Sequence, residues 1–368
     1  MNPRIYSVLC IIALLLYPCI FVQEAFAASK SSDIKALEKE IKLGKSVAED
    51  IEKQWPRVLE PSKTARAEMI LQRLRPYMER SLDYEVRVVE QKMVNAFSLP
   101  GGITYVTTGM LDFIKTDTEL AAVIAHELVH ADKRHVMVQV ARNERLTLLA
   151  IAVAVATKGK GAAIIMANVA QVAIMNAYSI DLEKEADAGG IKAMMAAHFN
   201  PAGMLTLQER LLEESLRRPK ADMGVWQSHP DAEERIRLAA QFMNDQKIPI
   251  HRKYALGLLR TEVQVASGDV GLMIDGEPLW SGKETADNRE FLERVRVRLD
   301  EYLQLETLPY DIRLQKESDG DVLRILARKI AEEREIPKGM EPLTLIPDRL
   351  QSVLEKARKR YPVANYYL

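Results

Sequence analysis

The sequence predicts an α+β fold: a larger, mainly helical region with a small β-sheet, followed by a smaller α+β region. Three observations lead there. Before about residue 250, apolar residues recur mostly at helical spacing. One stretch, "YEVRVVEQKMVNAFSLPGGITYVTTGML", alternates instead and is broken by Pro and Gly. Beyond about residue 255, short strand-like runs and turns surround an amphipathic helix. The 368 residues suit one large domain or two ordinary ones, and 48% apolar content supports a packed core. A formal charge of −1 gives no basic excess, so a nucleic-acid partner is not expected.

The N-terminus stands apart from this pattern. "MNPRIYSVLCIIALLLYPCIFVQEAFAASK" places Arg4 before an apolar run from Ile5 to Val22, then Ala25-Phe26-Ala27. That order is expected of a secretory signal cleaved after Ala27, with an uncleaved membrane anchor as the alternative on length. Cys10 and Cys19, the two cysteines of the chain, both fall inside it. A mature chain would have no thiolate, so a metal site must use His, Asp and Glu.

From Ser31 to Arg80 the pattern is helical with a polar face. Val86 and Val88 share one face of an alternating run and predict a strand; "LPGG" breaks it, Pro100-Gly101 suiting a type II turn. Ile103 to Thr107 resumes strand character. "TDTELAAVIAHELVHADKRHVMVQVARNERL" then predicts one continuous helix, opened by a capping box of Thr116 and Glu119. Residues 146–179 are apolar pieces split by Lys158-Gly159-Lys160-Gly161. They read as a buried helical hairpin, or alternatively as a peripheral membrane contact or self-associating element.

Helices follow in "DLEKEADAGGIKAMMAA", "NPAGMLTLQERLLEESLRR" and "SHPDAEERIRLAAQFM". "EVQVASGDVGLMIDGEPLW" reads as strands joined by turns. "ADNREFLERVRVRLDEYL" reads as a helix with Phe291, Val295 and Leu299 spaced by four. "YDIRLQ" is strand-like; "DVLRILARKIAEER" and "PDRLQSVLEKARKR" read as helical. No internal repeat of 20 to 50 residues is evident. The expected division is a signal segment 1–27, a domain 28–250 and a C-terminal α+β domain 255–368.

"HELVHADKRH", residues 126–135, holds three of the six histidines. His126 and His130, four apart on a helix, point from one face and suit two ligands of one tetrahedral zinc. Glu127 lies about 100° around the helix, where it reaches a water at the metal without ligating it. Its carboxylate is then placed to accept a proton as that water attacks a carbonyl. For a third ligand, an unbroken helix aims His135 away, so it is expected to pack or hydrogen-bond at the helix end. The metzincin arrangement fails, because Lys133 and Val136 stand where Gly and His are required. A carboxylate from another helix remains. In "DLEKEADAGG", Glu183 and Asp187 are one turn apart, with Ala186 and Gly190 on the same stripe allowing close approach. Glu183 would ligate, Asp187 would orient a ligating histidine, and Glu185 would point to solvent.

Together these stretches resemble the gluzincin peptidases, the zincin metalloprotease family containing the CAAX prenyl proteases, the HtpX heat-shock proteases and the BepA-type periplasmic proteases. The likeness runs from about Glu40 to Phe242 through "EIKLGKSVAEDIE", "NAFSLPGGITYVTTGML", "VIAHELVHADKRH", "EKEAD" and "SHPDAEERI", in that order. The resemblance implies one Zn2+ per chain held by His126, His130 and Glu183, with Glu127 as general base or acid. It also implies a strand at Asn95, Ala96 and Phe97 that pairs with an extended polypeptide substrate. Two positions depart from many relatives: Val129 replaces Gly, which bears on packing around the zinc helix. Ile180 replaces Arg, which removes a cation near the acidic helix.

His229 in "SHPDAEERI" has two functional readings. One makes it a donor to the oxyanion of the tetrahedral intermediate, the other an imidazole that fills the open zinc position and keeps the enzyme latent. A helix-start histidine before Pro230 is the structural reading. Arg235 is expected to brace the same region by pairing with an acid. The function expected is an exported, periplasmic zinc metalloendopeptidase acting on extended or misfolded polypeptides in envelope protein quality control. The alternative is a latent or inactive protease serving as a holding or assembly factor. The C-terminal region carries no chemical constellation, and oligomeric state is not legible.

Overall fold

The computed structural model describes residues 34–142, 169–170, 173–174, 178–217, 232–304 and 307–360. The expected signal segment 1–27, most of 146–179, His229 and the C-terminal tail lie outside the described residues. An α+β arrangement is observed, as expected. Among the described residues no helix is long and apolar enough to cross a membrane. The chain clusters into two units. One takes residues up to Phe113, Val123–Ala197 and Ser215–Arg235; the other takes Ile114–Ala122, His198–Glu214 and Ile236 onward.

The first unit opens with a helix over 34–54, α1, whose buried residues Glu40, Gly44, Val47, Ala48 and Ile51 form one stripe. Helix α2 (Pro61–Leu74) starts on a proline, which costs no hydrogen bond there, and buries Ala67, Ile70, Leu71 and Leu74. The sheet has strands β1 (Glu85–Val89), β2 (Ala96–Ser98) and β3 (Ile103–Thr107) in the order β1-β3-β2. β1 runs parallel to β3, with Val88 opposite Val106; β2 runs antiparallel, with Phe97 opposite Tyr105. The expected turn is there: Gly101 has φ 86°, which the position after Pro100 in a type II turn requires, and Leu99 N–H donates to Ile103 O at 2.8 Å. Central β3 is buried throughout, and Phe97 stacks on Tyr105 with ring centroids 5.1 Å apart. Helix α3 (Thr108–Phe113) follows.

The continuous helix expected from Thr116 is two helices, α4 (Asp117–Asp132) and α5 (His135–Arg142). Arg134 sits at φ 60°, a left-handed conformation that ends the helical path and starts a new one. The capping box is half present. Thr116 Oγ1 accepts from Glu119 N at 3.2 Å, but the Glu119 carboxylate reaches Lys115 N at 2.9 Å rather than Thr116 N. That carboxylate also pairs with Arg210, which explains the diversion. Helix α6 (Ile180–Ala196) completes the described helices around the sheet.

The second unit contains α7 (Gly203–Arg217, up to Glu214), most of α8 (Ala232–Asp245), α9 (Arg252–Ala255) and the C-terminal region. Strands β4 (Thr261–Ala266), β5 (Asp269–Ile274) and β6 (Glu277–Lys283) form an antiparallel meander. Its turns, Ser267-Gly268 and Asp275-Gly276, have positive φ at both positions, which matches the twist of the flanking strands. Helix α10 (Ala286–Leu303) is capped by Thr285, which accepts from Asn288 N, and buries Phe291, Val295 and Leu299 as expected.

"DVLRILARKIAEER" is not helical. It forms β8 (Gly320–Ile325) and β9 (Arg328–Glu332), which follow β7 (Ile312–Glu317) in a second meander. Leu323 and Ile325 are buried at 0% while Leu326 is 48% exposed at φ 54°, so the two-residue period governs and a turn falls where a helix would continue. Helix α11 (Ile346–Arg360) then closes the chain's described part.

A duplication emerges that the residues do not announce: each meander of three strands is followed by a helix. Leu272, Ile274, Leu279 and Trp280 correspond in position to Leu323, Ile325, Ile330 and Ala331, and all eight are fully buried in one core. Helix α10 packs on β4, β5, β6 and β9, and α11 packs on β6 and β7, so each helix touches both meanders.

Candidate metal centre

Helix α4 carries His126 and His130 on one face, and α6 brings Glu183 against them. All three are buried, at 6%, 0% and 0% exposure. The His126 and His130 Nε2 atoms are 2.9 Å apart, and Glu183 oxygens lie 3.5 and 3.6 Å from them. Ligands about 2.1 Å from a tetrahedral zinc are separated by about 3.4 Å, so these three edges bracket the spacing that the ion requires. The donor set, two imidazoles and a carboxylate with one position left open, fits catalytic zinc.

The other nitrogen of each imidazole has a partner that leaves Nε2 directed at the metal position. His126 Nδ1 is 2.9 Å from Asp187 Oδ1, where the sequence places its orienting carboxylate. His130 Nδ1 is 2.9 Å from His135 Nδ1, and His135 Nε2 is 3.4 Å from Glu185. Read as a proton chain, His130 donates from Nδ1 to His135, which donates from Nε2 to Glu185. Burial depresses the His135 pKa despite Glu185, which favours the neutral ring that this chain needs. The expectation that an unbroken helix turns His135 away is thus corrected: the break at Arg134 turns it back behind His130. Glu185 is exposed as expected, yet it terminates this chain.

Arg235 pairs with acids as expected, and more extensively than one acid. Its Nε and Nη2 donate to Asp187 at 2.9 and 2.7 Å, and Nη1 lies 2.9 Å from Glu183 Oε2. Burial opposes ionisation of Asp187, but Arg235 and His126 hold its carboxyl well below the usual range. Arg235, also disfavoured by burial, is held charged by Asp187 and Glu183. With Ile180 uncharged, the acidic helix still meets a cation, Arg235 of α8.

Val129 also has a counterpart. A Cβ on Gly189 would lie 3.0 Å from both Val129 methyl groups, so Gly189 provides the room that the valine takes. Ala186 and Gly190, the small residues expected on the close-approach stripe, are both buried.

Glu127 is 3% exposed, and Ser98 Oγ lies 3.0 Å from its Oε2 and 2.5 Å from its main-chain O. Ser98 ends β2, so one hydroxyl connects the candidate base to the candidate substrate strand. Of Asn95, Ala96 and Phe97, the last two lie on β2, an edge strand of the sheet, and all three side chains are buried. Leu99 and Asn95 hydrogen-bond to β3, so alternation directs the main-chain groups of Ala96 and Ser98 away from it. Sequence reasoning missed Tyr178, whose ring stacks on His130 with centroids 4.2 Å apart. Burial and the Glu127 and Glu183 carboxylates push its phenol well above the ordinary value, so it stays protonated. An aromatic residue at the end of an apolar run gave no signal for this role.

Residues 61–242 match the model of peptidase family M48. The chain carries a peptidase family M48 domain. M48 metallopeptidases are zinc-dependent, in keeping with the donor set at His126, His130 and Glu183. Over 167 residues, 45% of this chain and 49% of the relative, the sequence is 29% identical to mitochondrial metalloendopeptidase OMA1 of Schizosaccharomyces pombe. Over 168 residues it is 27% identical to the beta-barrel assembly-enhancing protease of Escherichia coli, covering 44% of this chain and 34% of that protein. Metalloprotease LoiP of Escherichia coli is 31% identical over 164 residues, 44% of this chain and 61% of LoiP. The chain thus spans less than two thirds of the length of each of these relatives. The M48 match begins at α2 and ends within α8, so both duplicated meanders lie outside it.

Proposed function

We propose that this chain is an exported, periplasmic zinc metalloendopeptidase that cleaves extended or misfolded polypeptides as part of envelope protein quality control. The observation that carries this reading is the buried convergence of His126, His130 and Glu183 beside Glu127. In this reading residues 28–250 form the peptidase domain and 255–368 a separate α+β domain. Export rests on the N-terminal "IIALLLYPCIFVQEAFA" segment, and the envelope role on likeness to the assembly-enhancing protease.

His126, His130 and Glu183 would hold the ion, which would supply Lewis acidity toward a water and a substrate carbonyl. Glu127 accepts the proton of the attacking water and returns it to the departing amide nitrogen. Ser98 fixes the Glu127 carboxylate from β2. An extended substrate adds to the outer edge of β2 through the main-chain groups of Ala96 and Ser98, while Asn95 and Phe97 bond to β3 and hold that strand in place. Asp187 and Arg235 keep the His126 ring and the Glu183 carboxylate in place. His229, six positions before Arg235, is assigned to the oxyanion.

The test is metal content of the purified chain, together with digestion of unfolded casein with and without chelator. Zinc near one per chain and chelator-sensitive cleavage are expected; cleavage that survives complete removal of metal would refute the reading. Retained cleavage in His229→Ala would remove that residue from the mechanism.

A further inference from the structure

Glu40 lies ahead of residue 61, where the family match begins, on the buried stripe of α1. It is 4% exposed, and its two oxygens take four donors from three separate segments. Oε1 accepts from Arg80 Nη1 at 3.0 Å and from Gly101 N at 3.3 Å. Oε2 accepts from Arg80 Nη2 at 3.0 Å and pairs with Arg134 Nε at 2.9 Å. A buried carboxylate is tolerated only when paired in this way, so the contacts are a condition of its burial.

Two of these partners lead to the metal. Arg134 is the left-handed residue whose break returns His135 to His130. Arg80 Nη1 also lies 3.2 Å from Ala131 O, and its main-chain N–H donates to Asp132 Oδ1 at 2.8 Å. Tyr84 donates to the same oxygen at 2.6 Å. The end of α4, just past His130, is gripped from the segment that Glu40 orients.

The third partner leads to the substrate strand. Gly101 lies in the turn between β2 and β3, and α1 touches that turn backbone to backbone. A Cβ on Gly44, one helical turn beyond Glu40, would lie 1.8 Å from Pro100 O, and a Cβ on Gly101 would lie 2.8 Å from Ile41 Cα. The turn is therefore seated on α1, and β2, with Ser98 against Glu127, extends from it.

We infer that Glu40 is a positioning residue of the peptidase, tying the helix break behind His130 to the hairpin that receives substrate. The inference rests on the peptidase reading for its substrate end and on the metal site for its other end. A glutamine keeps the shape but offers one acceptor oxygen in place of two and turns an amide N–H2 toward a guanidinium.

The full chain is purified as wild type, Glu40→Gln and Arg134→Leu. Zinc affinity is read by competition with a chromophoric chelator, KM and kcat are read on unfolded casein, and melting temperature is recorded. Glu40→Gln is expected to weaken zinc about 10-fold, as loss of groups behind a ligand does, and to raise KM severalfold with kcat little changed. Arg134→Leu, at a half-exposed position, is expected to weaken zinc while leaving KM within twofold of wild type. A Glu40→Gln chain that melts lower but keeps both zinc affinity and KM within twofold overturns the inference. If Glu40→Gln does not fold, unchanged zinc affinity in Arg134→Leu overturns it instead. Should wild type bind zinc yet leave casein intact, the peptidase reading and the substrate end of the inference both fall. The zinc competition still decides the metal end.

Discussion

The two regions of this chain bury different kinds of matter. Around His126 the interior is crowded with ionisable groups: Glu127, His130, His135, Glu183, Asp187 and Arg235 are all buried. In the duplicated meanders, residues 261–360, Asn288, Thr307 and Glu332 are the buried polar residues among those described, and the rest of the core is hydrocarbon. Burying charge costs free energy unless every group finds a partner, whereas burying hydrocarbon is itself the driving force. A region that keeps so many paired charges inside is organised for chemistry. One that avoids them is organised for stability.

That contrast can be tested by changes of similar size in each region. Glu127→Gln removes no volume and should lower kcat by about 1,000-fold, the scale of general-base catalysis, with zinc content and melting temperature unchanged. Retention of more than a tenth of wild-type turnover would deny the first region its chemical role. Leu323→Ala in the second should behave oppositely. Truncating this fully buried residue is expected to cost about 3 kcal/mol in urea unfolding of the C-terminal region, with kcat of the folded enzyme unaltered. A matching fall in kcat under native conditions would mean that the two regions do not separate in this way.

A smaller effect sharpens the account of close approach. Gly189→Ala places a methyl 3.0 Å from both Val129 methyls and should cost about 1–2 kcal/mol of stability. Adding Val129→Ala should recover most of that loss, and purely additive losses in the double variant would show that the two residues do not share the space.

The smallest expected effect concerns pH. Arg349 hydrogen-bonds Glu341, and Ser281 adds two more donors, so the carboxyl is pushed down to about 2 although burial opposes it. A depressed folded-state value means that the stabilisation is present above the unfolded value near 4.5 and is lost as pH falls toward 2. Solvent screening limits it to about 1 kcal/mol. The urea midpoint of Glu341→Gln should lie below wild type at pH 6, and the gap should narrow at pH 3 and close as pH falls to about 2. A constant gap would assign the loss to packing.

Legibility followed the range of the interactions. His126, Glu127 and His130 were readable because one helical turn sets their spacing, and Glu183 because its small flanks mark a helix that can come close. The turns at Ser267-Gly268 and Asp275-Gly276 were readable for the same local reason. His135 was not, because the left-handed Arg134 is tied to Glu40, a partner far back in the chain. Residues 321–332 were misread as helix because interleaved Arg and Lys imitate a charged helical face, and only burial in the shared core reveals the two-residue period. The duplication is hard to read because identity is confined to scattered positions such as Leu272 and Leu323, with Trp280 standing where the second copy has Ala331.

The shared core also sets an order of events during synthesis. Leu350, Val353 and Leu354 of α11 complete the core that Leu272 and Trp280 begin. When the first meander leaves the ribosome, α10 covers part of its greasy side, and the rest stays open until the second meander and the last helix are translated. A nascent chain stalled between the copies should therefore be a preferred client for chaperones that bind apolar segments.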